Sequence, residues 1–282
     1  MKQVIQIRCK NNKKTQKIAI GSTLSDVFRE FNLKMDYGPI SAKVNNKVEG
    51  MHYRLYHSKD VEFQDMYTAS ASRNYTRTLF FVLSKAVHDI YRHSEVVIDI
   101  PVSNGYFVNL DIGHAVGLQD VDNIRRRMQE IIDAGIPIRR FEVPTEEAIR
   151  MFREKGADSK VKLLESIGSL YTTYYQIDDY LDYYYGSLLT NTSQLYLFGL
   201  EKYYDGMLLR IPSLKNPGVL GEMTRQDKMF EIFKEHHRWQ DIMGIRTVGD
   251  FNEAVHGGHA TDLINVCLLY TSPSPRDRSV SR

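Results

Sequence analysis

QVIQIRCKNNKKTQKIAIGSTLSDVFREF, residues 3–31, sets the reading of the fold. Residues 3–8 place Val4, Ile5 and Ile7 in a short strand, residues 10–14 form a turn of lysines and asparagines, and residues 16–20 return as a second strand. That is a hairpin. Gly21-Ser22-Thr23 then precedes Leu24, Val27, Phe28 and Phe31, whose i, i+3, i+4, i+7 spacing makes one apolar helix face behind a hydroxyl cap. Further along, Pro39 to Val44, a turn at Asn45-Asn46, Val48, and Val61 to Phe63 supply three more short strands. Strands and one helix in this order, within roughly 65 residues, are expected to form a β-grasp module: a sheet crossed by a single helix.

The chain has 282 residues, 42% apolar and 26% charged, which is long enough for about two domains. Its two cysteines, Cys9 and Cys267, are far apart and outside any CxxC pair, which excludes a disulfide framework and a thiolate zinc site. No apolar run reaches the roughly 18 residues of a membrane span, and charges interrupt the first ten residues too often for a signal peptide. A cytoplasmic protein without a membrane partner is expected. The net charge of +2 is unevenly spread, since residues 1–66 carry twelve Lys or Arg against seven Asp or Glu. A basic module therefore leads a slightly acidic body, and Lys10, Lys13 and Lys14 in the hairpin turn are candidate RNA-binding residues. A basic, solubilising face is the plainer reading of the same charges.

Beyond Tyr67 the periodicity changes. Leu79, Phe80, Leu83, Val87 and Ile90 predict a helix over residues 76–91, followed by a hairpin of residues 96–102 and 106–112 around Asn104-Gly105. Asp120 is expected to cap a helix carrying Ile124, Met128, Ile131 and Ile132, stopped at Gly135. Further helices are expected over residues 145–155, 159–167 and 225–243, with strands and turns between. Residues 174–186, YYQIDDYLDYYYG, hold six tyrosines and three aspartates. Such a segment is either the edge of a well-filled core or a binding platform, because a tyrosine pairs an apolar ring with a hydroxyl that needs a partner when buried. Asp178, Asp179 and Asp182 are suited to ribose or a cation, or simply to solvent. Residues 267–282, CLLYTSPSPRDRSVSR, show no periodic face and read as a disordered tail. The string LYTSPSPRD resembles translated sequencing-adapter read-through, which would end the natural chain near Val266.

Taken together, residues 1–66 resemble a TGS domain, the β-grasp unit that opens threonyl-tRNA synthetases. Residues 67–225 resemble the editing domain that follows it there, through FVLSKAVHDIY (81–91), PVSNGYFVNLDI (101–112), DVDNIRRRMQEIIDAGIPIRRFEVPTEEAIRMF (120–152) and DDYLDYYYGS (178–187). An α+β fold is implied. The stretch TVGDFNEAVHGGHATDLINV (247–266) resembles the connector that precedes the kinase domain of bacterial uridine kinase-like proteins, which share this front end. The resemblance thus implies the non-catalytic, ligand- or RNA-binding half of a nucleoside kinase. Residues 226–266 would then be a connector to a missing kinase domain that uses ATP and magnesium. No window reads GxxxxGK[ST], the phosphate loop such a kinase needs, so no cofactor is expected in this chain.

In the synthetases, the resemblance implies, two histidines four apart on the first editing helix work with a cysteine and a histidine four apart on a later segment. Here Arg77 and Phe81 stand at the first pair, Tyr184 and Leu188 at the second. Phe81 and Leu188 neither ligate a cation nor transfer a proton, and Arg77 stays cationic at any working pH. Hydrolysis of mischarged tRNA is therefore not expected. The pocket has either been filled or become an aromatic cleft that stacks a base or nucleotide beside Arg77. A free-standing aminoacyl-tRNA hydrolase and a structural dimerisation module are the alternative readings. His236-His237, His256 and His259 lack the spacing and carboxylate company of a metal site, and Arg125 to Arg127 with Arg139-Arg140 read as a solvated face.

Overall fold

The computed structural model describes residues 3–92, 94–224, 226–262 and 264–265. The expected tail over residues 267–282, with Cys267, and the expected chain end near Val266 lie outside the described residues. The chain divides into two compact units, Met1–Phe141 with Thr173–Asp227, and Glu142–Thr172 with Lys228–Arg282.

The first unit opens with β1 (Val4–Cys9), β2 (Lys14–Ala19), α1 (Leu24–Glu30), β3 (Ser41–Val44), β4 (Lys47–Gly50) and β5 (Lys59–Gln64). They form one sheet in the order β2-β1-β5-β3-β4, with β1 and β5 parallel and the other pairs antiparallel. This is the expected β-grasp arrangement. Thr23 caps α1 through the Asp26 amide while Asp26 returns the bond to the Thr23 amide, which satisfies two otherwise orphaned donors. The turn at Asn45-Asn46 holds both residues left-handed, the twist that two-residue hairpins favour. Ile7, Leu24, Val27, Leu55 and Val61 are fully buried between helix and sheet, in a core of their own.

The same unit continues with α2 (Ala69–Ile90), β6 (Glu95–Val102), β7 (Gly105–Asp111), α3 (Leu118–Asp133), β8 (Arg139–Pro144), β9 (Tyr171–Ile177), β10 (Tyr180–Tyr183), β11 (Gly199–Tyr203) and β12 (Gly206–Arg210). Two sheets result, β11-β12-β7-β6 and β10-β9-β8. The chain leaves this unit along β8 and re-enters along β9. Helix α2 begins seven residues before its expected start, capped by Thr68, and buries Tyr75, Leu79, Phe81, Val82 and Leu83 in a second core. Asp120 is not the cap of α3. It sits three residues inside the helix and accepts the Gly117 amide at 2.8 Å, because Gly117, with no side-chain acceptor, holds the cap position. Its carboxyl is held below the usual range, first by the Tyr91 hydroxyl at 2.6 Å.

The second unit holds α4 (Thr145–Glu154), α5 (Asp158–Ile167), nearly all of α6 (Asp227–Met243) and α7 (Val248–His256). Gly249 lets α5 and α7 approach closely, since a Cβ there would stand 2.8 Å from the Leu163 nitrogen. Lys162 pairs with Asp250 at 3.0 Å across the same contact. Among the described residues, no helix is long and apolar enough to cross a membrane.

Candidate functional site

The tyrosine-rich segment is a hairpin of β9 and β10 that turns at Asp178, whose φ is 49°. Its register pairs Tyr180 with Ile177, Asp182 with Tyr175 and Tyr183 with Tyr174. Side chains of a strand alternate between faces, so one face carries Tyr175, Ile177, Tyr180 and Asp182 and the other Tyr174, Gln176, Leu181 and Tyr183. The first face is the inner one, where Tyr175 and Ile177 are fully buried. The inner face is the edge of a filled core.

Arg77 and Phe81 lie one turn apart on α2, and the chain after β10 runs alongside them. Leu189 donates its amide to Thr78 Oγ1 at 3.0 Å, and the Tyr175 hydroxyl donates to the Gly186 carbonyl at 3.1 Å. The Phe81 ring stands edge-on to Tyr184 at 5.6 Å and lies at 5.6 Å from Tyr180. Leu188 is fully buried in the same core. Gly186 rests on the Arg77 guanidinium, since a Cβ would meet Nη1 at 2.9 Å, and its φ of 112° is one that only glycine adopts freely. The structure therefore brings Arg77, Phe81, Tyr184 and Leu188 to one place. Of the four, Arg77 alone carries charge.

Half-buried Arg77 donates to Asn74 Oδ1 at 3.1 Å. Burial, and then the neighbouring Arg73, lower its pKa, while the phenols of Tyr175, Tyr106 and Tyr185 favour its cation. Burial raises the Tyr184 hydroxyl well above its ordinary range, reinforced by Asp182 and Tyr180, so this phenol does not ionise near neutrality. A phenylalanine, a leucine, a neutral phenol and a guanidinium supply neither a base nor a nucleophile nor a set of metal ligands. Among the described residues, no group of three or more His, Cys, Asp or Glu is placed to hold a metal.

Lys85, one turn beyond Phe81, escaped the sequence reading. Its side chain is 5% exposed and its ammonium sits 2.6 Å from Asp89 and 3.0 Å from Asp179. Burial opposes that charge, yet the two carboxylates outweigh it and leave the pKa raised. The bond from Lys85 in turn holds the Asp179 carboxyl low. Arg127 also pairs with Asp89, at 2.8 Å. The only sequence signal was a Lys and an Asp four apart within an apolar stripe. Asp182 is buried and accepts the Tyr183 amide at 2.7 Å, while Asp178 is exposed at the hairpin turn.

Lys10 and Lys13 are exposed on the turn between β1 and β2 and Lys14 at the start of β2, and Lys10 donates to Asn46 Oδ1 at 3.3 Å. They are on the β-grasp core, not with Arg77. His256 and His259 do not converge: one bonds the Asn252 carbonyl at 2.8 Å, the other Asp262 at 3.4 Å. A cavity of about 910 Å³ opens between the β6–β7 turn and residues 211–222, and none of the four pocket residues lines it.

No family model matches the chain. Among curated proteins it is similar to the threonine–tRNA ligase of Syntrophotalea carbinolica, 29% identical over 210 residues, which is 71% of this chain and 33% of the relative. The corresponding ligase of Syntrophomonas wolfei is 26% identical over 194 residues (68% and 30%), and that of Clostridioides difficile 24% over 174 residues (61% and 27%). The likeness is to the N-terminal regions of these ligases, and the chain spans about a third of their length. It agrees with the α+β pairing of a β-grasp and an editing-like domain.

These alignments overturn the expectation of a uridine kinase-like protein. That expectation rested on residues 247–266, which include the short helix α7 behind a Thr247–Asp250 capping box. Such a box opens helices in unrelated proteins and carries little information. Alignments of 174–210 residues to threonine–tRNA ligases outweigh it.

Proposed function

We propose that the chain is a tRNA-binding region of the threonine–tRNA ligase type, whose editing-like domain keeps its fold and has lost its hydrolytic groups. Residues 1–66 act as the TGS β-grasp domain and residues 67–225 as the editing-like domain. The observation that carries this reading is the contact of Phe81 with Tyr184 at 5.6 Å, with Phe81 and Leu188 fully buried. Rings and an isobutyl group occupy the positions where the resemblance puts histidines and a cysteine. Arg77 contributes a fixed positive charge at the edge of this filled pocket, and the hairpin lysines Lys10, Lys13 and Lys14 contribute phosphate contacts on the β-grasp core. In this reading no metal or cofactor takes part, the aminoacyl ester stays intact, and the protein works in the cytoplasm, where charged tRNA is used.

The test has two arms. Labelled threonine tRNA should bind the chain, and the triple variant Lys10→Glu, Lys13→Glu, Lys14→Glu should weaken binding and reduce the log–log salt slope by about 2–3, on the order of 0.7–0.9 per lost contact. An unchanged slope rejects that surface. Misacylated tRNA incubated with the chain should lose its amino acid at the rate without protein. Faster loss would establish the trans-editing hydrolase instead.

A further inference from the structure

The outer face of the β10-β9-β8 sheet carries a feature that the pocket leaves unused. Phe141 of β8 stacks on Tyr174 of β9 with centroids 5.1 Å apart and planes at 16°, and Tyr183 of β10 is the direct cross-strand partner of Tyr174. Three adjacent strands therefore present three aromatic rings in a row, none of them fully buried. Past the end of β10, two positions after Tyr183, Tyr185 is 86% exposed. Two-residue periodicity places Arg139, also exposed, on the same face as Phe141. Arg77, with Arg73 beside it, lies next to Tyr185 at the other end. The nearby acid Asp179 is already neutralised by Lys85 at 3.0 Å.

Rings on three neighbouring strands, with Arg139 at one end and the pocket-edge Arg77 near the other, match the chemistry of single-stranded nucleic acid. Unpaired bases stack on aromatic faces without regard to sequence, and arginines take the intervening phosphates. We infer that this outer sheet face is a stacking platform for unpaired RNA bases, distinct from the filled pocket on the inner face. An extended proline-rich peptide also uses aromatic surfaces, yet it would not call for these arginines. The platform rests on the reading that the chain binds tRNA only for the identity of the RNA, since any unpaired strand offers the same chemistry.

The experiment follows a fluorescein-labelled single-stranded octauridylate by anisotropy with the full chain. Tyr174→Leu, Tyr183→Leu and Tyr185→Leu should each weaken binding about 5- to 100-fold, as expected for the loss of one stacked base. The corresponding Tyr→Phe variants should stay within about twofold, because the ring survives. Tyr185 stands clear of the core, so its variant keeps the test sound even if a leucine within the sheet disturbs folding. Leucine variants that bind like the wild type overturn the platform, and so do phenylalanine variants that lose as much as the leucines. A proline-rich peptide that binds with the same ring dependence while the oligonucleotide does not would overturn it too. tRNA binding by the wild type, with octauridylate binding indifferent to these rings, leaves the tRNA reading standing and removes the platform. Ring-dependent octauridylate binding without tRNA binding does the reverse.

Discussion

Replacing Phe81 with alanine separates a filled pocket from an open cleft. Phe81 is fully buried on α2, with Tyr184 edge-on at 5.6 Å and Tyr180 at 5.6 Å. Truncating a buried phenylalanine removes its transfer free energy, leaves a void and unpairs both ring contacts, at a cost of about 3–5 kcal/mol. In a unit of this size each kcal/mol moves the midpoint by about 2–4 °C, so the variant should melt roughly 6–20 °C lower. Phe81→Leu, which keeps most of the volume, should cost under about 1.5 kcal/mol. Thermal and urea unfolding followed by circular dichroism give both numbers. Had Phe81 lined an open cleft, its truncation would behave like a surface change, within about 0.5 kcal/mol. A loss below about 1 kcal/mol for Phe81→Ala would therefore refute the filled pocket.

The Lys85 network should respond asymmetrically. Lys85→Met leaves Asp89 with Arg127 at 2.8 Å and Asp179 mostly in solvent, so the cost should be about 1 kcal/mol, whereas Asp89→Asn leaves the buried ammonium with the exposed Asp179 as its one remaining carboxylate and should cost roughly 2–3 kcal/mol by urea unfolding. Gly186→Ala demands a φ of 112° from an alanine and drives a methyl group into Arg77, so it should destabilise by about 1–3 kcal/mol. His52 should make stability fall below neutrality. Its Nε2 bonds the Ile138 carbonyl at 2.8 Å, and burial, aided by Arg140 and opposed by that bond, holds its pKa below the ordinary 6.5. The unfolded chain takes up a proton near pH 6.5 that the folded chain refuses, so this contribution is complete above that pH and declines below it. His52→Gln should flatten the difference in unfolding free energy between about pH 7 and pH 5; an identical slope in both proteins would exclude His52 as its source.

Local signals made the β-grasp half legible. The hairpin, the Thr23 cap and the Leu24–Phe31 stripe each depend on neighbours within a few residues, and each appears where the pattern put it. Helix α2 was read seven residues short because its first turns, ASASRNY, hold small and polar residues, and because Asn74, Thr76, Thr78 and Lys85 interrupt its buried face. Strand β8 gave no signal, since RRFEVP alternates weakly and acquires its role only by pairing within the β10-β9-β8 sheet. In the tyrosine segment the period of two was hidden because both faces carry rings, and only the register separates Tyr175, turned to the core, from Tyr174, stacked on Phe141. The meeting of Arg77, Phe81, Tyr184 and Leu188 came from the resemblance, because no local pattern links residues a hundred positions apart.

Ester loss from misacylated threonine tRNA, followed while anisotropy reports the same RNA bound to the chain, addresses the filled pocket and the RNA role together. Binding should be evident and the half-life of the ester should equal that in buffer. A shortened half-life, abolished by substitution at Arg77 or Tyr184, would mean that these side chains perform the chemistry denied to them here.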